Sequence, residues 1–251
     1  MLTVKTIRAK SILNKSKLFD YCVNPYTGCQ INCRYCYARL FMKRYSGHQE
    51  PWGEFVDVKI NAGEVLKKQL AKAKKGVVWI SSVCDPYQPL EKTYALTRRC
   101  LEVLAAKHFP VNIQTKSTLI LRDLDILQEF GDLEAGFTIT TDDEAVAKQF
   151  EPGAPPIKQR IAALKKLRAA GIATFAMVAP LLPGNPSNLI GYLEDAADRV
   201  LIDRMNYASS VKWFYRKLGF HREMEDSYFD ETRERLVEEM NRRGMHYRVL
   251  F

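Results

Sequence analysis

No run of about 18 uncharged apolar residues occurs anywhere in the 251-residue sequence, so no membrane-spanning helix is expected. The most apolar stretch, Ile172 to Pro183, is short and is broken by Pro180 and Pro183. The first residues, Met1 to Arg8, hold no apolar signal core, so a cytoplasmic protein with reduced thiols is expected. Internal repeats and low-complexity tracts are missing as well. With 47% hydrophobic and 27% charged residues, the composition excludes a disordered chain, a collagen-like repeat and a small disulfide scaffold.

What the chain has in excess is positive charge, 38 Lys/Arg against 29 Asp/Glu. The excess is concentrated. Residues 1–50 hold Lys5, Arg8, Lys10, Lys15, Lys17, Arg34, Arg39, Lys43 and Arg44 against Asp20 and Glu50, a net of +7, which leaves +2 for the other 201. A local basic field favours a polyanionic partner such as nucleic acid or a phosphorylated substrate; a solvated basic surface is the plainer alternative.

Strand-like and helix-like patterns alternate. Strands are expected at Phe19–Val23, Val77–Val83, Val111–Thr115, Ala135–Thr141, Ile172–Val178 and Val200–Met205. Helices are expected at Tyr35–Tyr45, Thr93–Lys107, Leu121–Phe130, Pro156–Ala170 and Ser187–Ala197. A tail over Ser209–Arg243 reads as helical in pieces, ending in an extended His246–Phe251. About six strand–helix units predict a parallel sheet with helices outside it, short of the eight units of a full barrel. An incomplete barrel and an open doubly wound sheet both fit. Either gathers ligands at the carboxyl ends of its strands, where the cysteine loop, Cys84-Asp85, Lys116, Thr138 with Thr140, Pro180 and Arg204 with Asn206 fall.

Three of the six cysteines crowd into Gly28-Cys29-Gln-Ile-Asn-Cys33-Arg-Tyr-Cys36-Tyr37, a C-x3-C-x2-C spacing. In a reducing compartment such crowding points to metal. Three thiolates can hold three irons of a cubane and leave the fourth open to a small ligand, while Gly28 lets the chain turn tightly before the first thiol. Zinc would need a fourth ligand, for which His48 is available; a remote fourth cluster ligand could come from Cys22 or Cys84; three structural thiols are the remaining reading. Cys22 and Cys100 read as packing residues.

The loop, together with Ser82-Val-Cys84-Asp85-Pro-Tyr-Gln-Pro89, resembles the radical S-adenosylmethionine (SAM) superfamily, in its spore photoproduct lyase-like branch, often labelled DNA repair photolyase. The resemblance covers about residues 20–205. It implies reductive cleavage of SAM at a [4Fe-4S] cluster, giving a 5′-deoxyadenosyl radical that takes a hydrogen atom from the substrate. By the same resemblance Cys29, Cys33 and Cys36 are cluster ligands. Asp85 meets the SAM ammonium, Lys116 and Arg160 its carboxylate, and Thr138 and Tyr37 also contact the cofactor; Ala179-Pro180 lines the adenine slot. Cys84 and Tyr35 are expected in hydrogen-atom transfer, although Ser82, not Cys84, aligns with the lyase's donor cysteine. Two further departures are a short stretch before Cys29 and the lack of a second cysteine cluster.

The expected fold is therefore α/β, an incomplete (β/α)6-type parallel barrel with a helical C-terminal extension over residues 206–251, in one domain. The expected partners are nucleic acid, DNA or RNA, and a one-electron donor such as flavodoxin or ferredoxin, with no membrane. A peptide or small metabolite is the alternative substrate, and a metal-stabilised nucleic-acid-binding module the non-enzymatic reading. Aromatics and cations interleave over Tyr207–Arg222, suiting either base stacking or closure of a barrel end. The loop Gly47–Gly53 reads as a lid or as a packed surface loop.

Overall fold

The computed structural model describes residues 2–251; the side chain of Lys43, one of the basic residues named above, lies outside the described set. The strands are β1 (Thr3–Ile7), β2 (Leu13–Lys15), β3 (Tyr21–Val23), β4 (Tyr26–Thr27), β5 (Phe55–Lys59), β6 (Val78–Ile80), β7 (Val111–Thr115), β8 (Leu133–Thr138), β9 (Ala173–Val178), β10 (Arg199–Ile202) and β11 (Tyr247–Val249). Eight form one sheet in the order β11-β10-β9-β8-β7-β6-β3-β2, and three form a small sheet, β1-β5-β4. In the large sheet every pairing from β3 to β11 is parallel, and only β2 runs antiparallel, against β3. Helices Leu96–Ala106, Ile157–Ala169, Pro186–Leu193 and Asp226–Arg242 lie in the crossovers between these strands. This is the expected α/β architecture, an incomplete parallel barrel with a helical extension. Its strands carry mostly buried residues on both faces because helices cover the sheet.

The expected strands fall within a few residues of β3 and β6–β10, and the helices depart more. The segment Thr93–Lys107 is two helices, Glu91–Tyr94 and Leu96–Ala106, with Ala95 left-handed between them. The cause is Glu91, a buried carboxylate that accepts the amides of Thr97 at 3.0 Å and Arg98 at 3.3 Å and so starts the second helix. It also accepts the Tyr26 hydroxyl and Arg122 at 2.9 Å, which ties the small sheet to that helix. The helix expected from Tyr35 begins at Ala38, since Arg34 stays in the cysteine loop and donates its amide to the Phe150 carbonyl at 2.8 Å. Leu121–Phe130 is a 3-10 turn, Thr118–Asp123, followed by Leu124–Leu127. No element was expected at β1, β5, Ala62–Leu70 or Glu144–Phe150.

The loop Gly47–Gly53 is packed, and no lid. His48 is buried, stacks on Phe55 with ring centroids 4.2 Å apart, and bonds to Asp57 at 2.9 Å and Glu50 at 3.0 Å. Trp52 is buried edge-on to the same ring. The Glu50 carboxyl is held down to about 2 by its own amide, by His48 and by Thr3. Its folded pKa lies below the unfolded one, so its stabilisation is complete above about 4.5 and is lost as pH falls toward 2. Thermal melts between those pH values should show a falling Tm in the native chain and a shallower fall in Glu50→Gln; identical slopes would contradict this contact.

In the extension, Phe214 and Tyr215 are buried against Phe150, with ring centroids at 5.1 and 4.7 Å, while Trp213 stays exposed. Most of that aromatic content therefore closes the end of the barrel. Among the described residues, no helix is long and apolar enough to cross a membrane.

Candidate functional site

Because β3 and β6–β10 point the same way, their carboxyl ends meet on one side, and a cavity of about 350 Å³ opens there. Its wall comes from the cysteine loop (Cys29, Cys33, Tyr35, Cys36, Tyr37), from Ser81–Asp85 after β6 and from Gln114–Lys116 at the end of β7. Thr138 of β8, Met177, Ala179 and Pro180 at the end of β9, and Asp203–Asn206 after β10 complete it. Nine of the ten predicted site residues thus line one space; Arg160 does not.

The cysteine loop is shaped by close approach. Gly28 has φ +90°, and a Cβ there would lie 2.2 Å from the Phe55 carbonyl oxygen, so no other residue fits. Gln88, fully buried in the Asp85-Pro-Tyr-Gln-Pro run, donates to the Gly28 carbonyl at 3.2 Å and accepts the Gln30 amide at 3.0 Å. The Asp85 amide donates to Cys29 Sγ at 3.3 Å. Burial pushes the Cys29 and Cys36 thiols up and the Cys33 thiol to about 12, with Lys116 pulling Cys33 the other way. Such thiols become thiolates when a metal takes the place of the proton. Among the described residues, no three Cys, His, Asp or Glu side chains converge on a point for a single ion. A cubane does not require that, since each thiolate takes a different iron. The donor set, three thiols in one cavity with an N–H aimed at one sulfur, suits such a cluster. His48, the available zinc ligand, is occupied by Asp57 and Glu50 outside the cavity wall.

Asp85 is rigidly placed. One oxygen accepts the Thr115 hydroxyl at 2.6 Å and the Tyr87 amide at 2.9 Å, and the other accepts the Lys116 amide at 2.8 Å. Three of its four lone-pair sites are used, which leaves one for a cationic ligand. The Thr138 hydroxyl accepts from Gln114 at 2.8 Å. The Lys116 ammonium lies 5.7 Å over the Tyr35 ring. Tyr37 donates its hydroxyl to the Ser82 carbonyl. Cys84 lines the cavity, but its thiol donates to the Tyr26 carbonyl at 3.7 Å, and burial raises it to about 12. Cys100 is fully buried in its helix, and Cys22 lies on β3 outside the cavity wall.

Arg160 corrects the expectation drawn from the resemblance. Its guanidinium is buried against Glu151 and also donates to the carbonyls of Pro155 at 2.7 Å and Thr138 at 3.2 Å. Two site-forming residues had no role in the sequence. Glu151 also accepts the Tyr35 hydroxyl. Asn24 accepts the Val83 amide and donates to Ser82, both at 3.1 Å, and so fixes the loop after β6. Neither belongs to a local motif, although Asn24 stands five residues before Cys29.

The sequence matches the radical SAM superfamily over residues 23–196. The chain belongs to that superfamily. Radical SAM enzymes use a [4Fe-4S] cluster and SAM, the cluster supplying one electron to the sulfonium. An uncharacterised protein of Methanocaldococcus jannaschii is 40% identical over 179 residues, 70% of this chain and 67% of that one. A radical SAM Nα-GlyT isomerase of Pseudomonas phage M6 is 26% identical over 162 residues, 64% of this chain and 33% of that one. The chain spans between 57% and 67% of the length of the first curated relatives it matches. Spore photoproduct lyase complexed with dinucleoside spore photoproduct has the same fold, with TM-score 0.72 at 16% identity, over 99% of this chain and 82% of that one. Streptococcus suis SuiB bound to precursor peptide SuiA gives TM-score 0.64 at 15% identity, over 92% and 48%.

Proposed function

We propose that this radical SAM enzyme forms a 5′-deoxyadenosyl radical in the 350 Å³ cavity and directs it at a nucleic-acid base, in repair or modification. In this reading Cys29, Cys33 and Cys36 hold the cluster. Asp85 takes the SAM ammonium through its remaining lone pair, and Lys116, Thr138, Tyr37 and Pro180 border the rest of the cofactor. Cys84 and Tyr35 stand on the substrate side. A small one-electron donor of the flavodoxin or ferredoxin kind would supply the reducing electron.

The observation that carries the nucleic-acid reading is the cavity mouth. Leu18 and Tyr37 line it and are 74% and 39% exposed. From Tyr37 the helix Ala38–Ser46 presents exposed Phe41 and Arg44 at i+4 and i+7, one face of the helix. Phe41 meets exposed Tyr207 edge-on at 5.8 Å. Beyond them Lys212, Arg216 and His221 line a second, surface cavity of about 210 Å³. Open rings beside cations stack bases and neutralise phosphates. The fold shared with the lyase, solved with a dinucleoside, supports the same reading. A base in a duplex would have to be flipped out, at a cost of a few kcal/mol that damage reduces.

Fluorescence anisotropy with a labelled single-stranded oligonucleotide across a salt series tests this. Binding should weaken steeply with salt. Neutralising Arg39, Lys43 and Arg44 together should lower the slope of log K against log salt by about 2, near 0.7 for each lost phosphate contact. Absence of any salt-dependent binding would favour the peptide or metabolite reading, for which the SuiB likeness stands.

A further inference from the structure

Glu151 and Arg160 form an ion pair that none of these roles uses. Each is 1% exposed. One Glu151 oxygen takes the Arg160 guanidinium; the other accepts the Tyr35 hydroxyl and the Thr140 hydroxyl, the latter at 3.1 Å. Tyr35 stands between Cys33 and Cys36, with the Lys116 ammonium over its ring. The chain around Glu151 also grips the cysteine loop. Arg34 donates to the Phe150 carbonyl at 2.8 Å, Gly153 donates to the Ile31 carbonyl at 3.0 Å, and a Cβ at Gly153 would lie 2.3 Å from the Gln30 carbonyl oxygen. One negative and two positive charges are thus fixed one side chain away from two of the three thiols.

A buried ion pair is a poor stabiliser, because well-packed apolar residues of the same volume usually serve as well. Its position behind the thiols calls for another reason. Charges buried away from water are weakly screened, and the potential of an iron–sulfur cluster follows the net charge around it. We propose that the Glu151–Arg160 pair sets the reduction potential of the cluster held by Cys29, Cys33 and Cys36, with Glu151 as a positioning residue that acts through Tyr35. The proposal rests on the cluster reading above.

The test is a potentiometric titration of the reconstituted holoenzyme followed by electron paramagnetic resonance, with iron content measured alongside. Glu151→Gln, which removes a negative charge, should raise the midpoint potential. Arg160→Gln should lower it. The double variant restores the net charge and should return close to the native value. Iron content should be unchanged throughout. A merely structural role would shift both single variants in one direction or in neither, and either result would overturn the proposal. Should Glu151→Gln fail to fold, Arg160→Gln and the double variant still give the sign and the return. A native chain that takes up no iron would overturn the cluster reading, and this proposal with it.

Discussion

Cys33→Ala should lose the iron–sulfur absorbance and 5′-deoxyadenosine formation together, both to background. The reasoning is in the geometry of the loop. Cys33 is buried, its carbonyl accepts the Cys36 amide at 3.2 Å, and burial pushes its thiol to about 12, so no neighbouring side chain is placed to replace it. Cys84, the remaining cysteine of the cavity wall, turns its thiol to the Tyr26 carbonyl. A cluster with two protein ligands has no anchored corner, and without it SAM has no electron source. Cys100→Ala serves as the control. It removes a thiol that is fully buried in the helix Leu96–Ala106, and should keep both absorbance and cleavage. Iron-based absorbance retained in Cys33→Ala would contradict the ligand assignment. Absorbance lost in both variants would show that any buried thiol matters, through packing.

Arg160→Met should produce the largest stability loss of any single substitution considered. It leaves the Glu151 carboxylate buried with the Tyr35 and Thr140 hydroxyls but without its counter-charge. Burial alone would raise that carboxyl, and Arg160, Lys116 and the Tyr35 hydroxyl together hold it below its ordinary value. Breaking one side of such a pair costs about 3–5 kcal/mol. For a chain of this size that is roughly a 6–20 °C fall in Tm. Adding Glu151→Gln to Arg160→Met should recover most of the loss, because the uncompensated charge is gone. A drop under about 1 kcal/mol for Arg160→Met would mean that water reaches the pair.

The chemistry was legible where it is local in sequence. The C-x3-C-x2-C spacing, Gly28 and Asp85 all do their work within a few residues of one another or at the end of one strand, and the structure brings them to one cavity. The parallel sheet was legible because its strands are short apolar runs bounded by helices. What escaped depends on distant partners. Glu151 reaches Tyr35 across 116 residues, and Asn24 reaches Val83 across 59. Arg160 was assigned to the cofactor because a cation in a helix shows no sign of the acid that neutralises it; Glu151 precedes it by nine residues, outside the helix Ile157–Ala169. Strand β5 hid because Asp57 and Lys59 interrupt its apolar pattern, and only the folded chain supplies His48 for the first and the Asn24 carbonyl, at 2.8 Å, for the second. The break at Ala95 is likewise tertiary, since the cap comes from a buried acid four residues back.

The most direct measurement is the fate of SAM on the native chain. The protein is reconstituted anaerobically with iron and sulfide, reduced with dithionite, and incubated with SAM; methionine and 5′-deoxyadenosine are then quantified by chromatography. The account predicts that both products appear in equal amounts, and only after reduction. SAM recovered intact from a reduced, fully iron-loaded chain would contradict it, since no iron would then be open to the sulfonium.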